Sequence, residues 1–168
     1  MNPSYQRRTV DRREIGVPIG FVLLCELVGI LGALATAPAI ETWYATIAKP
    51  GFTPPSWVFG PVWTLLYFLM DVAAFLVRRQ RDDRPRTATV ALGAFAIQLA
   101  LNGVWSPAFF GLRSPALGLI VIVPLLLAVL ATTGLFARVS QRAALLLLPY
   151  AAWVAYASAL NAAIWGLN

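Results

Sequence analysis

The chain has 168 residues, of which 60% are hydrophobic and only 12% charged, with a net charge of +6. Soluble domains carry about 25% charged residues, so this composition excludes an ordinary water-facing surface. There is no histidine and a single cysteine, Cys25; a Ser-His-Asp triad, a His-ligated haem, the common zinc sites and an intramolecular disulfide framework are all excluded. The positive charge is not spread as a nucleic-acid surface would need. Eleven of the thirteen basic residues lie in three short segments separated by long apolar runs, the pattern of membrane loops and not of a phosphate-binding groove.

In chain order, residues 1–14 form a polar, Arg-rich tail. A first apolar run covers residues 15–40. It is longer than the core of a signal peptide and carries Glu26, so it reads as a membrane span. Residues 41–57 contain Pro50, Pro54 and Pro55, too many prolines for a continuous helix. Further apolar runs cover 58–77, 87–110, 116–137 and 143–167. An Arg-rich hinge separates the second and third runs, and short turns separate the others. Each run is long enough to cross a hydrocarbon core of about 30 Å as a helix. None shows the alternating polarity of barrel strands. Pro124 predicts a kink or local break in the fourth run. The expected fold is an all-α membrane protein, a five-transmembrane-helix bundle over 15–168.

Loop charges predict the orientation. With the N-terminus cytoplasmic, the inner segments carry four, five and two basic residues, and the outer ones only Lys49 and Arg113. Five crossings then leave the C-terminus outside.

Several polar and aromatic residues fall inside the spans. Trp63, Tyr67 and Met70 or Asp71 share one face of helix two at helical spacing. Gln98, Asn102 and Trp105 do so on helix three, and Trp153, Ala157 and Asn161 on helix five. Amides in hydrocarbon need partners and so should face inward. Two readings stand open. The three faces either form a pocket for a flat, mostly apolar ligand, or the amides bond between helices and the tryptophans fill a solid core. Trp43, Tyr44, Trp57 and Trp165 lie near helix ends, where interfacial anchoring accounts for such rings. Glu26 and Asp71 are the intramembrane carboxyls, read as structural or as a proton-coupling pair. Gly29 and Ala33, Gly32 and Thr36, and Ala96 and Ala100 have the spacing of close helix contacts, within the monomer or across a dimer.

Three ordered blocks carry a family resemblance. The first runs from Trp43-Tyr44 through Lys49-Pro50 and Pro54-Pro55-Ser56-Trp57-Val58-Phe59-Gly60-Pro61-Val62-Trp63 to Tyr67. The second is Gln98 to Asn102, then Trp105, Pro107 and Phe109-Phe110-Gly111. The third is Pro149-Tyr150, Trp153 and Leu160-Asn161. This pattern resembles the TspO/translocator protein family, also called tryptophan-rich sensory proteins or peripheral-type benzodiazepine receptors. The resemblance runs from helix one to the C-terminus. It departs at Phe52, where a tryptophan is expected, and at Asp71, where a small residue is. Ala162 and Gly166 stand where the animal cholesterol motif needs a tyrosine and a basic residue.

The resemblance implies a membrane receptor or sensor, commonly a homodimer, for tetrapyrroles such as protoporphyrin IX and similar flat hydrophobic ligands. Its pocket would lie between helices two, three and five, with residues 41–57 as a lid. Carried over by position are Tyr44, Pro54, Trp63, Asn102, Trp105, Trp153 and Ala157; together with Trp57, Tyr67 and Gln98 they make up the expected ligand-binding residues. No cofactor is required and no metal site is expected. The alternatives are light- and oxygen-dependent porphyrin degradation, with Trp63 and Trp153 carrying radicals, and tetrapyrrole or lipid transport. The expected location is the inner membrane of a bacterial cell.

Overall fold

A computed structural model describes Gly29, Thr36 and residues 38–168 of the chain. The Arg-rich tail, Cys25, Glu26, Gly32, Ala33 and nearly all of the first apolar run lie outside the described residues. Among the described residues all regular structure is helical. A short helix α1 covers Trp43–Thr46, followed by α2 (Ser56–Arg79), α3 (Pro85–Ser106), a π-helical turn at Pro107–Gly111, α4 (Pro115–Val139) and α5 (Gln141–Leu167). Four of these helical segments are long and apolar enough to cross a membrane.

The helix ends follow local chemistry. Proline occupies the first turn of both α3 and α4, where its missing N–H has no intrahelical role. Ser114 caps α4 by accepting from Leu117 N–H at 3.3 Å. Ser140 is the sole residue between α4 and α5, and it caps α5 by accepting from Ala143 N–H at 3.4 Å. Two expectations shift. Helix two begins at Ser56, so Trp57 belongs to its first turn and is 74% exposed. Helix four runs unbroken through Pro124, which leaves a kink, of the kink or local break expected there, as the only form open to it.

Each helix buries one face, which narrows to a lane in α4. In α4 it is Gly118, Ile122, Leu125, Val129, Thr132, Phe136 and Val139, steps of four and three residues in alternation. That is the seam of a left-handed helix pair. Leu147, Tyr150 and Val154 continue the same rhythm in α5. Fully buried alanines, among them Ala73, Ala74, Ala88, Ala91 and Ala143, let the backbones approach closely. Phe95 stacks on Phe136 between α3 and α4, centroids 5.9 Å apart. Hydroxyls on the helices satisfy themselves: Thr132 donates to Ala128 O at 2.7 Å, and Ser158 to Val154 O at 2.7 Å. Besides Thr36, the remaining polar core residues, Asp71, Gln98, Asn102 and Asn161, sit on the lanes of α2, α3 and α5. They define where a site can form.

Candidate functional site

Two distinct polar clusters emerge from the inward faces. The first is a buried chain linking three helices. Tyr67 donates its hydroxyl to Asn102 Oδ1 at 2.7 Å, Asn102 Nδ2 donates to Tyr150 Oη at 3.0 Å, and Tyr150 donates to Gln98 Oε1 at 2.9 Å. Gln98 Nε2 reaches Met70 Sδ at 3.9 Å. The amides of Gln98 and Asn102 are thus engaged with tyrosines of α2 and α5, as the interhelical reading requires. Trp63 lies over this chain, its ring 5.5 Å from Tyr67 and 6.3 Å from Tyr150. Gly29 explains how Tyr67 is seated: a Cβ there would stand 2.6 Å from the phenol ring.

The second cluster encloses a cavity of about 30 Å3 lined by Tyr44, Phe59, Trp105, Phe109, Phe110, Ala157, Leu160, Asn161 and Ile164. Asn161 organises it. Its Oδ1 accepts from the Trp105 indole N–H at 3.3 Å, and its Nδ2 donates to Pro115 O at 2.7 Å. Gly118 makes this possible, since a Cβ there would lie 2.5 Å from Asn161 Oδ1 and 2.6 Å from Phe109 Cδ2. The π turn supplies the aromatic wall. Bonds from Leu112 N–H to Pro107 O and from Ser114 N–H to Phe109 O span five residues each. The resulting bulge sets Phe109 and Phe110 side by side, 4.7 Å apart and nearly perpendicular. Trp105 stacks on Phe109 at 5.7 Å. Such π insertions within helices recur at functional sites.

The segment from α1 to Pro55 closes over this cavity. Tyr44 is buried, with its ring 5.4 Å from Phe110 and 6.2 Å from Phe109. Burial, and then the neighbouring Tyr156, push its phenol above the usual 10.0, so it stays neutral there. Lys49 folds back, donating to Tyr44 O at 2.6 Å while its ammonium sits 4.8 Å from the Tyr44 ring centre. Tyr156 of α5 and the side chain of Asn168, just past the end of α5, then fasten the segment. Tyr156 donates to Phe52 O at 2.7 Å, and the two rings pack edge to face. Asn168 pairs with Ala48 as a strand would, accepting its N–H and donating to its carbonyl, both at 3.0 Å.

The predicted residues therefore divide. Tyr44, Trp105 and Ala157 meet at the cavity. Tyr67, Gln98 and Asn102 meet in the buried hydrogen-bond chain, with Trp63 above it. Trp153 packs on the cavity-lining Phe59 at 6.0 Å and on Tyr156 at 5.6 Å. Pro54 is half-buried in the closing segment, and Trp57 points away from it. Phe59, Phe109, Phe110, Leu160, Asn161 and Ile164 were not among the predicted ligand-binding residues. For Asn161 the signal existed, in its helical spacing from Trp153 and Ala157. For the phenylalanines nothing in composition separates a cavity wall from a lipid contact. No group of three or more metal-ligating side chains occurs among the described residues.

Comparison with known proteins identifies the family. A sequence model of the TspO/MBR family matches residues 21–166. The tryptophan-rich protein TspO of Archaeoglobus fulgidus is 42% identical over 153 residues, covering 89% of this chain and 95% of the relative. The human translocator protein is 39% identical over 150 residues, 89% of each chain. The tryptophan-rich sensory protein of Cereibacter sphaeroides is 36% identical over 151 residues, 88% of this chain and 92% of its own. The chain belongs to the TspO/MBR family and is an integral membrane protein.

Proposed function

Starting from membership of the TspO/MBR family, we propose that the chain is a five-helix membrane receptor or sensor for a planar tetrapyrrole of the protoporphyrin IX kind. The ligand would bind between helices two, three and five beneath residues 41–57. The N-terminus is cytoplasmic, the C-terminus outside, and the membrane the bacterial inner one, with the protein acting as a homodimer.

The observation that carries this reading is the aromatic cavity at Trp105, Ala157 and Asn161 under a segment held by a few hydrogen bonds. A cavity of about 30 Å3 is far below the ~300–1,000 Å3 of sites for drug-sized ligands. Binding therefore requires the lid to lift. Releasing Tyr44 from Phe109 and Phe110 extends the space toward Phe59 and Trp153. The ligand then gains flat π surface from Trp105 and Trp153, and the Asn161 amide and freed lid backbone groups serve as polar handles. Gln98 and Asn102 act one layer deeper, by holding Tyr67 and Tyr150 and so supporting Trp63.

The test is tryptophan quenching on titration with protoporphyrin IX, in wild type and Ala157→Leu. The added carbons of leucine occupy the cavity, so the variant should stay folded yet bind at least about tenfold more weakly, through overpacking of the bound state. Absence of quenching in the wild type, or equal affinity in the two proteins, rejects the proposal.

A further inference from the structure

We infer that the end of the bundle formed by the α2–α3 and α4–α5 connections is a binding site for the phosphate headgroup of an anionic glycerophospholipid. The inference does not depend on the tetrapyrrole reading.

The charge at this end is concentrated. Five arginines lie between residues 78 and 86, and Arg138 and Arg142 flank Ser140. Only Asp82 and Asp83 oppose them, leaving seven positive against two negative, a net of +5. Folding joins the two connections. Arg84 Nη1 donates to the carbonyl of Arg138 at 2.6 Å, across 54 residues of sequence. That carbonyl belongs to the last turn of α4 and has no intrahelical partner. The bond therefore caps α4 and holds the Arg84 guanidinium at the α4–α5 corner, beside Arg138 and Arg142. It uses one of the five N–H groups of Arg84. Among the described residues no ion pair with Asp82 or Asp83 engages these guanidiniums.

Depth and neighbours select a lipid over other phosphates. The arginines sit where helices of 24, 25 and 27 residues leave their apolar windows, which is the headgroup level of a bilayer. Directly along α5 from Arg142, Leu145 and Leu148 are exposed. Exposed apolar side chains next to unpaired guanidiniums match a molecule with an acyl chain below a phosphate. A soluble phosphate would use only the charges. Guanidiniums are suited to the task because their planar forks bind phosphate oxygens in pairs.

The experiment uses the full chain in nanodiscs of mixed phosphatidylcholine and phosphatidylglycerol, with the lipids retained on the protein measured by native mass spectrometry. Nanodiscs expose both leaflets, so the direction of insertion does not affect the result. The wild type should enrich phosphatidylglycerol at least about fivefold over its share of the mixture. Arg84→Gln/Arg138→Gln/Arg142→Gln should lose that enrichment, since each basic residue near an anionic surface is worth about a fivefold change. The corresponding triple lysine variant should keep part of it, and Arg113→Gln at the opposite end should keep all of it. Millimolar inorganic phosphate should not displace the lipid. No enrichment in the wild type, equal enrichment in the triple glutamine variant, or displacement by free phosphate would overturn the inference.

Discussion

At the scale of single residues, Gly118 and Asn161 form the tightest constraint around the cavity. Asn161 spends its carbonyl on Trp105 and its amide on Pro115, so every strong bond it makes fixes a cavity wall. Gly118 leaves it the room. In Gly118→Ala the new methyl group meets Asn161 and Phe109 at contact distances no side chain tolerates. Overpacking of this kind costs about 1–3 kcal/mol. The variant should melt several degrees lower in detergent and show altered Trp105 emission as the indole bond is lost. Gly93→Ala and Gly134→Ala are the controls, because a Cβ at either meets nothing within 4 Å. If all three melt alike, Gly118 is not the constraint described.

At the scale of elements, the lid is held by side chains of α5 and by its C-terminal residue rather than by its own regular structure. Between Thr42 and Ser56 only Trp43–Thr46 is helical, so the segment depends on Tyr156, Asn168 and the buried Tyr44 ring. A net hydrogen bond contributes about 0.5–1.5 kcal/mol. Removing one should raise the open population by roughly twofold to tenfold. We expect Tyr156→Phe and Asn168→Ala to speed amide exchange at residues 44–53, Ala48 above all, without altering exchange in α2 to α5. Unchanged exchange at Ala48 in Asn168→Ala would show that the lid is fastened by other contacts. Much of this element was legible beforehand. The prolines at 50, 54 and 55 excluded a continuous helix, as the structure has it; the lid role is proposed, on the family resemblance. What anchors it was not legible, because Phe52 with Tyr156 and Ala48 with Asn168 are pairs more than a hundred residues apart.

At the scale of the whole molecule, the charge distribution and the helix lanes define one polarity. Eleven basic residues lie on the side assigned to the cytoplasm and two on the other. A reporter enzyme active only outside the cytoplasm should therefore work when fused after Asn168 and fail when fused before Met1. The opposite pattern would reject the orientation. The bundle interior is a set of packed seams rather than a water-excluding core. In lipid, exposed Ile120, Val123, Leu127 and Leu130 of α4 are as favourably placed as buried Ile122 and Leu125. Helix association then rests on close packing and interhelical hydrogen bonds.

That equivalence marks how far local segments dictate the fold and where docking of the helices takes over. Composition and run length sufficed for the four apolar spans among the described residues, the turns between them and the inward placement of Gln98, Asn102 and Asn161. Bilayer thickness and the cost of unpaired amides act on local segments. The three ordered aromatic blocks sufficed for the family. Hydrophobicity could not say which apolar face of α4 is buried, since both faces are apolar and only packing distinguishes them. Nor could spacing divide the amides by role. Asn102 and Gln98 bond tyrosines 35 to 52 residues away, whereas Asn161 holds Trp105 at the cavity. Hydrogen bonding discriminates over fractions of an ångström, and that distance is set only when α2, α3 and α5 have docked.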